Sequence, residues 1–300
     1  MKLDFQNVIH ATENWIIAEM LTQTPLVSVI MPVKACHPLF LRKSVESILN
    51  QSLADLELIV VLENGGQPVD LNLMDVLREF ENDKRLRIMH QKGKGFVEAL
   101  NFGILASRGK YIARMDADDI SLPNRLEKQV KAIEELHLDL VGGWAYIINE
   151  AGSTVGKRTP PVDSRRIRRT IMLYNPFIHS TMFFKRSILG RSGFYNKALF
   201  GSEDYDLWLR IISLGYGFSN LPEPLVLLRQ TNNSVMRGNG WKKTRLNSAR
   251  TKALGLTRMG YNDPFSILFC FVSPFSLVVA PKIAHRVTYL LEFFSNISLL

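Results

Sequence analysis

The sequence has few cysteines, no signal-like start and no excess of acidic residues. Cys36 and Cys270 are its only two cysteines, too few and too far apart for a disulfide framework or a zinc site. Asp4 and Glu13 interrupt the first residues, and no small-residue cleavage site follows an apolar stretch there. We therefore expect no secretory signal peptide and a catalytic part that works in the reducing cytoplasm.

The composition limits the classes of partner. Apolar residues make up 46% of the 300 residues, which is ample material for a core. The formal net charge of +9 indicates an anionic partner, such as nucleic acid, a phosphate-bearing small molecule or a membrane surface. Because no recognised nucleic-acid-binding motif is present, we expect no nucleic acid, and charge alone does not choose between the other two.

The first 140 residues alternate between strand-like and helix-like patterns. Apolar runs rich in β-branched residues predict strands, and apolar residues three or four apart predict helices. This alternation is typical of βαβ units, so it predicts a doubly wound, mainly parallel α/β sheet with flanking helices. The predicted strands are 25–33, 56–66, 86–90 and 110–115, and the predicted helices are 41–49, 74–80, 96–106 and a stretch through Leu126 and Val130.

After residue 140 the alternation is less regular. Residues 140–156 predict a strand and a turn, and a basic, proline-rich connector leads to a helix near residue 170. An apolar strand is predicted to begin at His179. A further helix is predicted with Ser202 at its N-cap and Gly215 at its end.

Two groups of acids stand at predicted element ends. Asp116, Asp118 and Asp119 follow the fourth strand, at the edge where open α/β sheets bind ligands, so they either repel one another or share a cation. The alternative is that they form a turn and favour the positive end of the next helix. Glu203 and Asp204 begin a later helix together with Asp206, where the helix dipole alone would also favour them.

Four segments together resemble the family 2 glycosyltransferases of the GT-A fold. The resemblance covers residues 25 to 235 and implies transfer of a sugar from a nucleotide-diphosphate donor to a hydroxyl acceptor, with inversion at the anomeric carbon. The segments are "VSVIMPV", "ELIVVLENGG", "ALNFGILASRGKYIARMDADDISLPNRLEKQV" and "SEDYDLWLRI".

The resemblance implies roles for both groups of acids. Asp116 and Asp118 match the Asp-X-Asp motif, so Asp118 is expected to bind Mg²⁺ or Mn²⁺ and Asp116 to contact the metal or the donor ribose. Asp204 matches the catalytic base that takes the acceptor proton, with Glu203 beside it on the acceptor side. We expect burial and nearby acids to raise the pKa of Asp204. His179 matches a histidine near acceptor or phosphate, or is a structural histidine.

The donor side departs from the family pattern. Pro32 and Val33 are not followed by the aromatic residue that usually helps to hold the nucleobase, and Glu63 stands where an Asp pair is common. Glu63 can still accept from a uracil imide, so a UDP-sugar is the preferred donor, with guanosine and thymidine donors left open; a surface glutamate is the alternative. Phosphate neighbours are expected among Lys92, Lys94 and Arg114, although the two lysines also suit a solvated loop.

The chain is divided into an N-terminal extension (1–24), a GT-A domain (25–236) and a basic, apolar C-terminal region (237–300). Residues 237–258 contain no acid, and the apolar stretch after them is interrupted by Pro274. This region suits either a peripheral contact with the inner face of the cell membrane or a helical appendage.

The resemblance suggests an acceptor that is a glycan or a lipid-linked sugar in surface polysaccharide synthesis. Two alternatives are a catalytically inactive nucleotide-sugar-binding protein, because the base site is altered, and a nucleotidyltransferase. The segment after the first strand lacks the Gly- and Arg-rich loop that a nucleotidyltransferase usually has.

Overall fold

The computed structural model describes residues 24–63, 70–91, 93–172, 174–231 and 241–259. Most of the predicted N-terminal extension, Lys92, Cys270 and the apolar stretch after residue 259 lie outside these ranges. The described residues form one mixed α/β fold built on a nine-stranded sheet.

The first four strands form the parallel half of the sheet. Their spatial order is β3-β2-β1-β4, and every neighbouring pair is parallel, as the alternating pattern predicted. All residues of β1 and β2 are buried, which explains their continuous apolar sequence. The elements are β1 (Val27–Val33), α1 (Pro38–Leu49), β2 (Leu56–Leu62), α2 (Leu71–Arg78), β3 (Leu86–His90), α3 (Phe96–Ala106) and β4 (Tyr111–Arg114).

The second half extends the sheet from β4 in the order β8-β6-β9-β5, with β7 beside β6. The sheet as a whole is mainly parallel, because β6 and β9 form a long parallel pair, while β5, β7 and β8 join antiparallel. The elements are β5 (Ile120–Ser121), α4 (Arg125–Glu135), β6 (Leu140–Ile148), β7 (Thr154–Arg158), α5 (Ser164–Thr170), β8 (Phe183–Lys185), α6 (Leu189–Ser192), α7 (Glu203–Ser213), β9 (Phe218–Arg229) and α8 (Trp241–Met259).

Helices cover both faces of the sheet, as expected for a doubly wound fold. Along β1, Ile30 belongs to one apolar cluster, and Val29 and Met31 belong to the other. Helix α3 approaches β1 closely at Gly103, where a Cβ atom would lie 2.6 Å from Cγ2 of Ile30. A larger residue at that position would push the helix off the strand.

Two local predictions need correction. His179–Thr181 forms a 3₁₀ turn, and the strand predicted from His179 begins only at Phe183. The second strand ends at Leu62, and the Gly-Gly turn predicted after it lies outside the described residues. Ser202 occupies the N-cap position of α7, but its side chain makes no capping hydrogen bond. The predicted end of α7 is confirmed, since Gly215 follows it with a φ of +84°.

Helix α8, within the basic C-terminal region, packs on the helix that carries Glu203 and Asp204. Nη1 of Arg258 lies 2.9 Å from Oδ1 of the buried Asp206, and Nδ2 of Asn247 donates to the carbonyl of Phe200 over 3.0 Å. This packing matches the helical-appendage alternative for residues 241–259. Within the described ranges, no helix combines the length and apolar character needed to cross a bilayer.

Candidate active site

The topology gathers the predicted donor residues at one edge of the sheet. Strands β1 and β4 are neighbours although β2 and β3 lie between them in sequence, so the winding reverses there and leaves a crevice at their carboxyl ends. Pro32 and Val33 end β1, Glu63 follows β2, and Asp116 follows β4. The crevice is therefore lined by residues from three separate segments.

The acids after β4 form a compact cluster. Asp116, Asp118 and Asp119 each offer a carboxylate oxygen within 4.8 Å of the others. Like charges at this separation raise one another's pKa unless a cation or a donor compensates. The three side chains differ in how far hydrogen bonds and ion pairs within the protein offset their negative charge.

Asp119 is held by the protein itself. It is 1% exposed, its Oδ1 accepts from the backbone N–H of Arg229 over 2.7 Å, and its Oδ2 accepts from the hydroxyl of Ser180. Burial, then the charges of Asp116 and Asp118, raise the pKa of Asp119 well above its usual range. Asp119 does not cap α4, because the N-cap there is Asn124. Its geometry is that of a buried side chain that ties β9 to the acidic loop.

Asp116 is paired with a buried arginine. The guanidinium of Arg114 forms an ion pair with the Asp116 carboxylate, and Oγ of Ser180 lies 2.8 Å from Oδ2 of Asp116. Arg114 is only 3% exposed, and its Nη1 also lies 3.1 Å from Ser180. Its Nε finds no partner among the described residues. The buried Arg114 therefore neutralises part of the negative charge of the acidic cluster.

Asp118 is the least compensated of the three acids. Burial and the Asp116 charge raise the pKa of Asp118 to about 6, and no hydrogen bond joins its carboxylate to another residue of the described chain. The nearby Arg229 donates through Nε to the Asp118 backbone carbonyl over 2.9 Å, which fixes the loop but leaves the side chain free. A hard divalent cation prefers such carboxylate oxygens, so Asp118, with Asp116 beside it, fits Mg²⁺ or Mn²⁺.

Glu63 stands at the end of β2 beside the β1 terminus. Its Oε1 accepts from the backbone N–H of Gly95 over 3.1 Å and lies 3.3 Å from Nζ of Lys34. Its Oε2 is buried and has no partner within the described chain. Glu63 is therefore no ordinary surface glutamate, because it is only 8% exposed. Lys94 is exposed and makes no hydrogen bond or ion pair with the described residues.

Glu203 and Asp204 are the first two residues of α7. Oδ2 of Asp204 accepts from Nδ2 of Asn175 over 2.8 Å, and its Oδ1 accepts from the Tyr205 N–H over 2.7 Å. Burial raises the pKa of Asp204, as the sequence predicted. Burial and the Asp204 charge raise the pKa of Glu203 to about 7. The Arg114 charge lowers the pKa of Asp118, Glu203 and Asp204 alike, so both groups of acids lie within electrostatic reach of one guanidinium.

His179 lies in a cluster of aromatic side chains. Its Nε2 is 3.0 Å from the hydroxyl of Tyr195, and its ring meets Phe96, Tyr195 and Trp208 edge-on. Burial and the Arg114 charge lower the pKa of His179 well below its usual value, so the ring is neutral. These contacts match the structural alternative, and the predicted contact with acceptor or phosphate stays a prediction.

Three residues that shape the site were not predicted from the sequence. Ser180 links Asp116 to Asp119, Arg229 holds the acidic loop, and Asn175 orients Asp204. Ser180 follows His179 directly and Asn175 lies four residues before it, so their proximity to His179 in the sequence was the available signal. Arg229 gave no signal, because it reaches the loop only through the pairing of β9 with β5.

Comparison with known sequences identifies relatives. The family model described as "Glycosyl transferase family 2" matches residues 28–193. An uncharacterized glycosyltransferase of Methanocaldococcus jannaschii is 35% identical over 69% of this chain and 72% of its own. The O-antigen biosynthesis glycosyltransferase WbnJ of Escherichia coli is 35% identical over 71% of this chain and 82% of its own. The amylovoran biosynthesis glycosyltransferase AmsE of Erwinia amylovora is 34% identical over 74% and 82%.

Solved structures share the fold at low sequence identity. TarS of S. aureus (residues 1–349, in complex with UDP-GlcNAc) matches with a TM-score of 0.59 and 16% identity, over 85% of this chain and 76% of that one. The complex of the same TarS fragment with UDP matches with a TM-score of 0.56 and 15% identity, over 78% and 69%. These matches agree with the GT-A fold expected from the sequence.

Proposed function

The chain belongs to glycosyl transferase family 2, and on that premise we propose that it moves a sugar from a nucleoside-diphosphate donor to a hydroxyl acceptor, with inversion at the anomeric carbon. The observation that supports this proposal is that two separate carboxylate pairs, Asp116 with Asp118 and Glu203 with Asp204, lie within electrostatic reach of Arg114 at the end of β4. One group suits a cation and the other suits a base. Direct displacement by an acceptor hydroxyl needs both, on opposite sides of the sugar.

The donor diphosphate would lie against the acidic loop after β4. Asp118 would hold Mg²⁺ or Mn²⁺, and Asp116 would contact the metal or the donor ribose. When bound, such a cation would supply charge neutralisation for the departing diphosphate. The chain prepares this position, because Arg114, Ser180 and Arg229 fix the backbone and the neighbouring carboxylates while leaving the Asp118 side chain free.

Asp204 is the proposed general base. As the acceptor oxygen bonds to the anomeric carbon, the bond from that carbon to the diphosphate oxygen breaks and the hydroxyl proton passes to the Asp204 carboxylate. Its raised pKa suits this role, since a carboxylate of ordinary pKa is a weak base. The amide of Asn175 orients the carboxylate, and Glu203 lies beside it on the proposed acceptor side.

Uridine is the preferred nucleobase. Uracil presents one imide N–H between two carbonyls, and Glu63 offers one free buried oxygen as an acceptor. TarS, which shares the fold, has been solved in complex with UDP and with UDP-GlcNAc, and this supports a uridine donor by analogy.

The names of the relatives support a class of pathways for the reaction. WbnJ and AmsE are named for O-antigen and amylovoran biosynthesis, so we propose a cytoplasmic enzyme of surface polysaccharide synthesis that uses a glycan or lipid-linked acceptor. A peripheral location on the inner face of the membrane belongs to the same proposal.

The test is thermal unfolding with UDP, GDP, CDP or dTDP, each with and without Mn²⁺. We expect UDP with Mn²⁺ to stabilise the wild type and not Asp118→Asn, because a ligand stabilises only the state that binds it. Release of UDP from a panel of UDP-sugars should then be lost in Asp204→Asn while UDP binding persists. If binding persists but no UDP-sugar is ever consumed, even by the wild type with acceptor-containing extract, the protein is an inactive donor binder. Formation of a nucleotide-sugar from a nucleoside triphosphate would indicate a nucleotidyltransferase.

A further inference from the structure

The edge of the sheet opposite the carboxylates carries a basic cavity. Leu138 precedes β6 and Gly217 precedes β9, and because β6 and β9 are parallel, both lie at the amino-terminal edge of these strands. A cavity of about 630 Å³ opens there. We call it the arginine cavity, since its lining includes Arg165, Arg168, Arg169, Tyr216 and Phe218 and contains no acidic residue.

The arginines of this cavity have no carboxylate partners. Arg165, Arg168 and Arg169 are exposed on α5, and none of them forms an ion pair with any residue in the described ranges. The guanidinium of Arg168 lies 5.5 Å from the ring centroid of Phe218, and that of Arg191 lies 5.9 Å from the centroid of Tyr216. Guanidinium groups held over aromatic rings keep their N–H donors free for an oxygen-rich anion, and phosphate matches them best.

Apolar side chains stand exposed along the same edge. A second cavity of about 630 Å³ is lined by Lys185 and Arg186 at the end of β8, which is antiparallel to β6, and by Leu105 and Phe194. Leu105 is 66% exposed and Phe194 is 39% exposed. Leu136 lies two residues before Leu138, which lines the arginine cavity, and it is 61% exposed. Apolar residues beside unpaired arginines suit a lipid interface, where phosphates lie above acyl chains. A nucleic acid would leave these apolar groups without favourable contacts.

We propose that this amino-terminal edge binds the surface of an anionic phospholipid membrane, with a headgroup phosphate in the arginine cavity and with Phe194, Leu105 and Leu136 against the lipid. The inference deepens the peripheral membrane location proposed above by naming the surface that makes the contact, and it does not depend on sugar transfer. None of these residues lies at the carboxyl edge that holds Glu63, Asp118 and Asp204.

The test measures binding of the full chain to vesicles by sedimentation. We expect binding to phosphatidylglycerol vesicles, weaker at higher salt, and none to pure phosphatidylcholine. The triple variant Arg165→Gln, Arg168→Gln, Arg169→Gln should bind at least tenfold more weakly. The matched control is Lys43→Gln, Lys84→Gln, Lys131→Gln, which removes the same charge from exposed lysines outside the cavity and should bind like the wild type. Equal binding by both triple variants would overturn the proposal.

A second variant separates the pocket from general charge attraction. Replacing the same three arginines by lysine keeps the charge but removes the planar guanidinium groups, which can bind a phosphate through two N–H donors at once. We therefore expect binding to phosphatidylglycerol vesicles to fall at least threefold. Wild-type binding by this variant would rule out the cavity as a headgroup site. The far-ultraviolet circular dichroism spectrum and the midpoint of urea unfolding should match the wild type in all variants, which shows that they are folded whether or not UDP binds.

Two further probes identify the source of the anion. Glycerol 3-phosphate and inorganic phosphate should compete with vesicles only weakly, because they lack the apolar part of the contact. If either binds strongly to the wild type while vesicles do not, the cavity is a site for a soluble phosphate and the membrane proposal fails. If duplex DNA binds, vesicles do not, and the glutamine triple variant loses the DNA, the partner is a nucleic acid.

Discussion

Nδ2 of Asn175 donates a hydrogen bond to Oδ2 of Asp204 over 2.8 Å. This contact joins the segment before β8 to the first turn of α7, and it fixes which way the proposed base points. The same bond lowers the pKa of Asp204 and so opposes the larger effect of burial, which raises it. Asn175 therefore sets both the orientation and the proton affinity of the carboxylate.

Replacing Asn175 by Ala should move the pH dependence of the reaction. The loss of a donor to the charged carboxylate raises the pKa of Asp204 further, so the acidic limb of kcat/KM for UDP release should shift to higher pH. We expect kcat to fall about tenfold, because the proposed base loses the hydrogen bond that directs its carboxylate. A tenfold fall corresponds to roughly 1.4 kcal/mol in the activation barrier. Asn72→Ala, at the exposed start of α2, is the control. A lower rate with an unshifted limb would mean that Asn175 acts only on the fold.

Glu203 should make stability fall as pH rises. Its pKa is raised from 4.5 to about 7 by burial and by Asp204, so the folded state binds its proton more tightly than the unfolded state does. Its full contribution is present below pH 4.5 and declines up to pH 7, by at most about 3 kcal/mol. The difference in unfolding free energy between wild type and Glu203→Gln, measured from pH 4.5 to 7.5 in urea, should therefore shift in favour of the variant. A constant difference across this range would contradict the raised pKa.

Asp118 and Asp119 are neighbours in sequence but should respond differently to substitution. Asp118→Asn should abolish the Mn²⁺-dependent stabilisation by UDP, and at neutral pH the free protein should be at least as stable as the wild type, because the raised pKa of Asp118 means that its charged form costs stability there. Asp119→Ala should destabilise the free protein by about 2–4 kcal/mol, because the N–H of Arg229 and the hydroxyl of Ser180 lose a buried partner. Equal loss of UDP stabilisation in Asp118→Asn and Asp119→Asn would instead make both side chains metal ligands.

The difference between these acids also shows where sequence reasoning reached its limit. The parallel half of the sheet was predictable, because β1 and β2 are buried on both faces and therefore carry a continuous apolar signal. The position of the acids after β4 followed from that pattern. The partners of Asp119 did not, because Arg229 lies 110 residues further along and reaches it through an antiparallel pairing that no local pattern encodes. The strand predicted at His179 failed because the backbone turns there, with the N–H of Met182 donating to the carbonyl of His179 over 3.1 Å, and the apolar pattern does not encode that turn.

Arg258 should stabilise the fold from outside the family match. Its guanidinium pairs with the buried Asp206, which also binds Arg210 on the same helix. Arg258→Gln should lower the unfolding free energy by about 1–2 kcal/mol, less than the loss of a buried carboxylate's sole partner, because Arg210 remains. Arg250→Gln, an exposed position on α8, should change it by less than about 0.5 kcal/mol. Equal effects of the two substitutions in urea unfolding would show that α8 contributes no specific ion pair.

Glu63→Gln should change which nucleotide is bound. The backbone N–H of Gly95 needs an acceptor, so the carbonyl oxygen of the new side chain should take that bond and leave its NH₂ group at the position of the free Oε2. An NH₂ group meets the imide N–H of uracil donor to donor, but it can donate to N3 of cytosine. Stabilisation by UDP with Mn²⁺ should therefore weaken at least tenfold and stabilisation by CDP should increase. The control Glu46→Gln, at an exposed position on α1, should keep the UDP preference. If Glu63→Gln binds UDP as the wild type does, the nucleobase lies elsewhere, and the free oxygen of Glu63 has no part in donor selection.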